Sequence, residues 1–486
     1  SAGELNLSLP FSKASFKPAP LLPKSQGVWS ALNNVSGNIN MKQAVLNIDV
    51  DKASYKTVGI TKVKAQIPDL SAKNLALLIN GSIQGDGSEV LEYLFASPVG
   101  IAQANLAKNL SLKGPVDVGL DLKIPLSGSN DVNFDAKINL PGNQAQWGQV
   151  PPLENLKGKI RITEINPEFD NVTANFLGGD LKITSAPSSA GNTSFSIGGD
   201  INASFIKDYI SGNLRSRAHP ALLTAMSGSA KYEGLINFNK AGSQTKLNFD
   251  LRNCASSAPS PAKKLAGTPM LGELSLNIYP ASKNSLVRAD WSGQLGGQYF
   301  LQGNLNSANE VKNAVGLGSP TPLPQQGISL HLASNELDLD QWVEFLGAGK
   351  SKGKTNEVNP SNTPEEDIQV SAQVKKLIAL DREWADVSIQ SQKKNIAWQL
   401  RLNSPQIAGQ LQWQPSSSDH PSGFVSGRLA RLKVPDQRTS QDLTARESAL
   451  QKAAPLKTPV DPNAIPSLDL TIDDLSWTKA QLGAVK

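Results

Sequence analysis

The chain has few of the residues that build most catalytic and metal-binding sites. Its 486 residues include one cysteine, Cys254, and three histidines, His219, His331 and His420. A single thiol cannot form an internal disulfide, and the histidines lack the spacing of a metal-binding motif. No nucleophile stands in a pattern that pairs it with a base. We therefore expect neither an enzyme nor a bound metal or cofactor.

Long apolar runs and clustered positive charge are also missing. No segment approaches the 18 consecutive apolar residues of a transmembrane helix. The formal net charge is +5, with no Lys/Arg cluster among aromatic residues, which gives no case for a nucleic acid partner. The chain begins at Ser1 without a signal peptide and stops inside what resembles an unfinished strand. We expect it to be an excised section of a longer protein.

Strict alternation of apolar and polar residues is the strongest pattern present. Every even position of 116–126 is apolar, and the odd positions carry Asp, Gly, Lys or Pro. Residues 132–140 repeat the pattern. Because successive strand side chains point to opposite faces, both runs predict strands with one apolar and one polar face. Residues 127–131 contain Gly128 and can close a hairpin between them.

The same alternation recurs along the chain, whereas helical patterns are few. We count roughly twenty short strands, and the 39 glycines and 31 prolines suit the turns between them. The sequence therefore predicts an all-β-dominated protein with a few short helices. The expected order is a first β section over 1–252 with helices near 88–108 and 204–226, a flexible loop over 253–270, a β section over 271–348, a flexible loop over 349–366, a β section over 367–434, a polar linker or helix over 435–462 and the start of a further β section over 463–486.

From the residues alone, three interpretations of this pattern are open. Two sheets that bury each other in a sandwich are the usual source of such alternation. A structural or adhesive β-solenoid with a dry core would show turn motifs of fixed length, and the spacing here is irregular. A carbohydrate-active protein would show a tryptophan-lined cleft with paired carboxylates, and the eight tryptophans are scattered.

Several phrases, in order, resemble the YhdP branch of the AsmA-like proteins of Gram-negative bacteria. The phrases are residues 112–126, the opening Leu-x-x-Leu-x-Gly-x-Ile at 153–160 with an echo at 32–39, and residues 337–342, 398–413 and 465–475. Together they cover most of residues 27–486. The loop at 252–268 departs from the family pattern because it is more polar.

The resemblance implies a fold and a function that the residues alone do not. It implies an elongated, twisted, mostly antiparallel sheet curled into an open hydrophobic groove, which shields phospholipid acyl chains. It also implies a protein anchored in the inner membrane that spans the periplasm, conducts phospholipid between the inner and outer membranes, and supports the outer-membrane barrier. This chain, without the anchor, would be a monomeric periplasmic section whose partners are phospholipids and, through missing parts, the two membranes.

The apolar stripe residues are the expected lining of this groove. They would act together, since each acyl methylene removed from water contributes about 0.8 kcal/mol without sequence-specific contacts. The predicted lining residues are Val116, Val118, Leu120, Leu122, Ile124, Val132, Phe134, Ile138, Phe195, Ile197, Ile201, Leu247, Phe249, Leu274, Leu276, Ile328, Leu330, Ile396, Trp398 and Leu400.

Overall fold

The structure, a computed structural model, divides the chain into two units. Unit 1 contains Ser1–Asn213 and Lys231–Ser243, and unit 2 contains Leu214–Ala230 and Gln244–Lys486. The structure describes residues 5–17, 29–97, 110–127, 132–148, 150–163, 167–188, 192–213, 220–239, 241–280, 288–306, 310–348, 367–394, 396–415, 417, 420–438, 466–478 and 480–486. Within these ranges, 28 strands and four helices are present. Twenty-six strands belong to one sheet and two form a separate pair, and most neighbouring strands are antiparallel. The predicted strand-dominated, mostly antiparallel fold with few helices is confirmed.

Most strands of unit 1 pair with the next strand along the chain. All the strand pairs described within it are antiparallel, including β7 with β8, which contain the two alternating runs. Its elements are β1 Asn6–Phe16, β2 Leu32–Lys42, β3 Val45–Tyr55, β4 Val58–Ile67, β5 Ala76–Asp86, α1 Gly87–Ala96, β6 Leu110–Lys113, β7 Pro115–Pro125, β8 Asn133–Trp147, β9 Leu153–Thr163, β10 Pro167–Phe176, β11 Gly179–Ser185, β12 Thr193–Asn202, α2 Ala203–Asn213 and most of β14 Ser229–Asn239.

Unit 2 combines antiparallel pairs with three parallel ones. The parallel pairs are β20 with β21, β21 with β22, and β26 with β27. Its elements are α3 Pro220–Ala225, β13 Met226–Ser227, most of β15 Gly242–Asp250, β16 Ala255–Ser256, β17 Leu271–Tyr279, β18 Arg288–Leu295, β19 Tyr299–Leu305, β20 Val311–Leu317, β21 Gly327–Asp338, α4 Leu339–Ala348, β22 Ile368–Ala379, β23 Arg382–Lys394, β24 Ala397–Asn403, β25 Ile407–Gln414, β26 Phe424–Val434, β27 Ser467–Trp477 and β28 Ala480–Val485.

Helix α1 begins and ends where side chains satisfy its terminal backbone groups. The Asp86 carboxylate accepts a hydrogen bond from the backbone N–H of Ser88, which is a standard N-cap arrangement. At the other end, the N–H and the hydroxyl of Ser97 both donate to the carbonyl of Leu94. The helix covers the first part of the range predicted at 88–108, and residues 98–109 lie outside the described part.

Hydrogen bonds tie residues 253–270, predicted as a flexible loop, to other parts of unit 2. Strand β16 pairs with β13. The Lys264 ammonium donates to the carbonyl of Arg252, outside the segment, at 3.3 Å and to that of Cys254, within it, at 2.7 Å. The Trp342 indole N–H of α4 donates to the carbonyl of Ser260 at 3.0 Å. The other predicted loop, 349–366, and all but the first four residues of 435–462 lie outside the described residues.

Candidate functional site

The register of the unit 1 strands collects their apolar residues on one face. Directly opposite residues of antiparallel strands point to the same side of a sheet. Val118 of β7 lies opposite Ile83 of β5 and Ile138 of β8, and Ile138 lies opposite Ile160 of β9. The face therefore crosses the strands without interruption. Further pairs on it are Leu9–Ile39, Ile39–Ile48, Ile48–Ala65, Ala65–Ile79, Ile160–Phe169 and Ile183–Ile197.

The opposite face of unit 1 is polar. Asn139 lies opposite Asp117 on one side and Lys159 on the other. Nearby, Arg161 binds both carboxylate oxygens of Asp135, with Nε 3.0 Å from Oδ1 and Nη2 2.9 Å from Oδ2. This hydrogen bonding holds the pKa of Asp135 below its ordinary value. Such a face is suited to water and leaves the other face as the candidate site.

One end of the apolar face of unit 1 is closed. Val118 is only 1% exposed, and Val58 and Val116 are also buried there. Helix α1 packs at this end and buries its own Val90 and Tyr93. The Tyr93 ring centroid lies 5.6 Å from that of Trp29 and 5.0 Å from that of Tyr55, and burial raises the pKa of Tyr93.

The other end of the same face is open. Ile124, at the far end of β7 from Val116, is half-buried, and Leu126, just after β7, is 50% exposed. Three phenylalanines extend across β10, β12 and β14 on this face. The ring of Phe195 lies 5.2 Å from that of Phe169 and 5.6 Å from that of Phe238.

Unit 2 has an apolar face of the same kind. Leu330 of β21 lies beside Val315 of β20 and Val370 of β22, and residues paired in parallel strands share a face. The face continues through the antiparallel strands that follow. Its further pairs are Leu276–Trp291, Leu301–Val315, Ala372–Ile389, Leu400–Leu411, Trp398–Trp413, Trp413–Val425, Val425–Leu468 and Leu429–Ile472.

The apolar face of unit 2 also has a closed end and an open end. Val374, Leu377, Trp384 and Val387 are buried in one cluster with Ala372. Along β26 and β27, Leu429 and Ile472 are buried, whereas Leu468 at the start of β27 is 61% exposed. Leu330 and Trp413 are 38% and 37% exposed. Each unit thus presents apolar side chains to solvent at one end of a face whose other end is a packed core.

The predicted lining residues fall into three groups by exposure. They form two sets, one in each unit, of which Val116 to Ile201 belong to unit 1 and Leu247 to Leu400 to unit 2. Val116, Val118, Leu120, Leu122 and Phe134 are buried. Leu330 is exposed, as is Ile396, which lies in the turn before β24. The half-buried residues are Ile124, Val132, Ile138, Phe195, Ile197, Ile201, Leu247, Phe249, Leu274, Leu276, Ile328, Trp398 and Leu400.

Several residues outside the predicted lining also lie on these faces. Trp29 and Tyr93 close one end in unit 1, and Trp291 and Trp413 belong to the face of unit 2. The signal for Tyr93 was the capped helical segment that follows Asp86. Trp413 was also indicated by the sequence, because it alternates with Leu411 on the strand that pairs with Trp398 and Leu400.

The described ranges contain no group of three or more His, Cys, Asp or Glu side chains placed to hold a metal ion. In the same ranges, no helix combines the length and the apolar character needed to cross a membrane.

Comparison with known proteins gives a family and one relative. The family model described as YhdP protein matches residues 3–486. The protein named intermembrane phospholipid transporter YhdP, from Escherichia coli strain K12, is 24% identical over 359 residues, which make up 72% of this chain and 27% of that relative. The match thus spans about a quarter of the relative's length.

Proposed function

This chain belongs to the YhdP protein family, and from this membership and the apolar faces of its units we propose that it shields phospholipid acyl chains during transport between two membranes. The predicted family resemblance is confirmed by the match over residues 3–486. The ligand class comes from the name of the E. coli relative, an intermembrane phospholipid transporter.

The open ends of the apolar faces carry the proposal. Leu330, Trp413 and Leu468 share the face of unit 2 and are 38%, 37% and 61% exposed. A contiguous apolar surface exposed to water is unfavourable and commonly marks a binding surface. Acyl chains fit it because each methylene removed from water contributes about 0.8 kcal/mol. Lipid tails would thus lie on the open end, while the packed end forms the floor of a groove in each unit.

Movement of lipid along such a surface needs no chemical step by the protein. The lining consists of Leu, Ile, Val, Phe and Trp, which contact a methylene chain without directional bonds. A sliding tail exchanges one apolar contact for an equivalent one, so the free energy changes little along its path. The polar faces, with ion pairs such as Arg161–Asp135, remain in water. We infer a non-enzymatic carrier rather than a catalyst.

The cellular setting follows from the same proposal. The chain would be a periplasmic section of an inner-membrane-anchored protein, and it would conduct phospholipid between the inner and outer membranes as part of a longer bridge. This transport would support the outer-membrane barrier. We expect the section to act as a monomer, with phospholipids as its ligands and with contacts to the membranes through other parts of the protein.

Lipid analysis of the purified chain tests the proposal. The chain would be expressed in a bacterial periplasm, purified without detergent, and extracted in organic solvent for mass spectrometry. We expect several phospholipid molecules per chain. The alternative is a structural or adhesive β-protein with a closed dry core, which the buried clusters around Val118 and Val387 favour. A folded, monomeric and lipid-free chain would establish that alternative instead.

Two neighbouring residues of β24 provide a matched pair of variants. Leu400 is half-buried on the apolar face opposite Leu411, and Gln399 is exposed on the polar face opposite Gln412. Leu400→Asp should reduce the bound phospholipid, because a carboxylate would replace an apolar contact. Gln399→Asp adds the same charge on the other face and should leave the lipid content unchanged. Equal lipid content in both variants would count against the apolar face as the binding surface.

A further inference from the structure

A lysine and two tryptophans lie in one row across the open end of the apolar face in unit 2. Lys393 of β23 lies opposite Trp398 of β24, and Trp398 lies opposite Trp413 of β25. The row continues through Val425 of β26 to Leu468 of β27. Lys393 is the charged member of this row, and it points to the same face as its apolar neighbours.

This row lies at the boundary between the apolar face and solvent. Trp413 and Leu468 are 37% and 61% exposed, whereas Leu429, farther along the same face, is 2% exposed. Leu429 lies opposite Gly409 of β25, which is four residues from Trp413 along that strand. The buried part of the face therefore begins within four residues of Trp413. Four residues of strand correspond to about 13 Å. The face therefore changes from exposed to fully packed over a distance that can hold much of an acyl chain.

The chemistry of the row suits the polar end of a lipid. An indole has an apolar ring system and one N–H donor, so tryptophan favours positions where an apolar layer meets water. A lysine can lay its methylene stem along apolar surface and hold its ammonium at the edge. An ammonium near a phosphodiester forms a charge-assisted hydrogen bond. Lys393 and Trp398 are both half-buried, as this arrangement requires.

We propose that Lys393, Trp398 and Trp413 form a headgroup-level site, in which the ammonium binds the phosphate of a glycerophospholipid and the indoles contact its glycerol and upper acyl region. The inference rests on the proposed function and adds to it a fixed depth for the lipid. Tails would extend from the row toward Leu429, while the phosphate remains at the edge of the face. The site would select lipids with a phosphate over neutral diacyl lipids of the same chain length.

Fluorescence quenching by brominated lipids tests the depth of the site. The whole chain would be loaded with a diacyl phospholipid that carries bromine either near the carbonyl carbons or near the methyl ends. The difference in quenching between the wild-type chain and the double variant Trp398→Phe/Trp413→Phe isolates these two indoles. We expect bromine near the carbonyls to quench that difference signal more strongly. Equal or stronger quenching by bromine near the methyl ends would overturn the proposed depth.

Lipid competition tests the role of the ammonium. Binding of phosphatidylglycerol would be compared with binding of diacylglycerol with identical acyl chains, in wild type, Lys393→Gln and Lys433→Gln. Loss of a charge contact of about 1 kcal/mol at the edge of the face corresponds to about a fivefold change in the phospholipid preference. We expect that loss in Lys393→Gln alone, because Lys433 is exposed beside Leu432 and points to the other face.

The two proposals fail differently in these experiments. A chain that binds neither lipid would refute the proposed function. A chain that binds both lipids equally well, or whose preference survives in Lys393→Gln, retains the proposed function and refutes the headgroup site.

Discussion

The carboxylate of Asp86 binds the backbone of Gly114 while it caps helix α1. Its Oδ1 accepts a hydrogen bond from the N–H of Ser88 at 2.9 Å, and its Oδ2 accepts one from the N–H of Gly114 at 3.0 Å. The N–H of Gly87 in turn donates to the carbonyl of Gly114 at 2.7 Å. These bonds fix the start of α1 to the junction of β6 and β7, at the closed end of the apolar face.

Removal of this carboxylate should destabilise unit 1 in a pH-dependent way. Asp86→Ala should lower the free energy of unfolding by about 1 kcal/mol at pH 7, the usual effect of losing an N-cap. Hydrogen bonds from Ser88 hold the pKa of Asp86 below its ordinary value. The stabilisation is therefore present above the unfolded-state pKa of about 3.9 and is lost as pH falls through the lower folded-state pKa. Urea unfolding at several pH values measures the difference between variant and wild type, which should shrink in acid.

Asp117 offers a control for that experiment. It is exposed on the polar face of β7, opposite Gln84 and Asn139. Asp117→Ala should change the free energy of unfolding little at any pH. A similar loss in both variants would indicate a general charge effect rather than a cap.

Charges placed at a buried and at an exposed position of one apolar face should have different effects. Leu120 is buried, so Leu120→Asp should reduce the free energy of unfolding by on the order of 4 kcal/mol, because it buries an unpaired charge. Leu9 is 48% exposed, so Leu9→Asp should change stability by less than about 1 kcal/mol. Thermal unfolding measures both, and equal losses would contradict the difference in burial between Leu120 and the edge-strand residue Leu9.

The alternation in the sequence predicted which side of each strand is apolar, but not how deeply each residue is buried. Val118 and Ile124 occupy equivalent positions in the same alternating run. Val118 is buried and Ile124 is not, because α1 packs at only one end of β7. That contact depends on where the chain folds back after Asp86, which a strand pattern does not encode.

Register and strand direction were also beyond the sequence pattern. The parallel pairing of β20 with β21 brings Val315 beside Leu330, yet the two alternating runs are compatible with either direction. Likewise, the sequence alone places Lys393 in a polar segment at the end of β23. Only its register with Trp398 puts it on the apolar face. Alternation within a strand determines which of its residues share a face. Pairing with neighbouring strands determines which residues lie side by side across the sheet.

A glycine on the apolar face should be essential for the position of Trp291. Trp291 of β18 lies opposite Gly303 of β19, and a Cβ at Gly303 would overlap the indole ring. Gly303→Val should displace the ring and reduce the free energy of unfolding by about 1–3 kcal/mol, as expected for overpacking. The emission of Trp291 should shift to longer wavelength as the ring becomes more exposed. An unchanged emission spectrum and stability would show that the ring does not depend on the glycine.

The hydrogen bonds of Lys264 should slow hydrogen exchange in residues 253–270. Its ammonium donates to the carbonyl of Cys254 at 2.7 Å and to that of Arg252 at 3.3 Å. Lys264→Met removes these bonds, which are worth about 1 kcal/mol net, so exchange of the Ser256 and Gly267 amides should accelerate by roughly fivefold. The exposed neighbour Lys263 provides the control, since Lys263→Met should leave exchange unchanged. Rapid exchange already in wild type would support the flexible loop predicted from the sequence.

Two tryptophans of unit 2 should differ in their effect on stability because they occupy opposite ends of its apolar face. Trp384 is buried in the cluster with Val374 and Val387, so Trp384→Ala should lower the free energy of unfolding by about 3–5 kcal/mol. Trp413 is 37% exposed, so Trp413→Ala leaves a smaller cavity and should have an effect below about 2 kcal/mol. If bound lipid covers Trp413, delipidation should reduce the difference in free energy of unfolding between wild type and Trp413→Ala. The corresponding difference for Trp384→Ala should not change. Urea unfolding before and after delipidation gives both quantities, and a gap that lipid does not alter would place Trp413 away from the acyl chains.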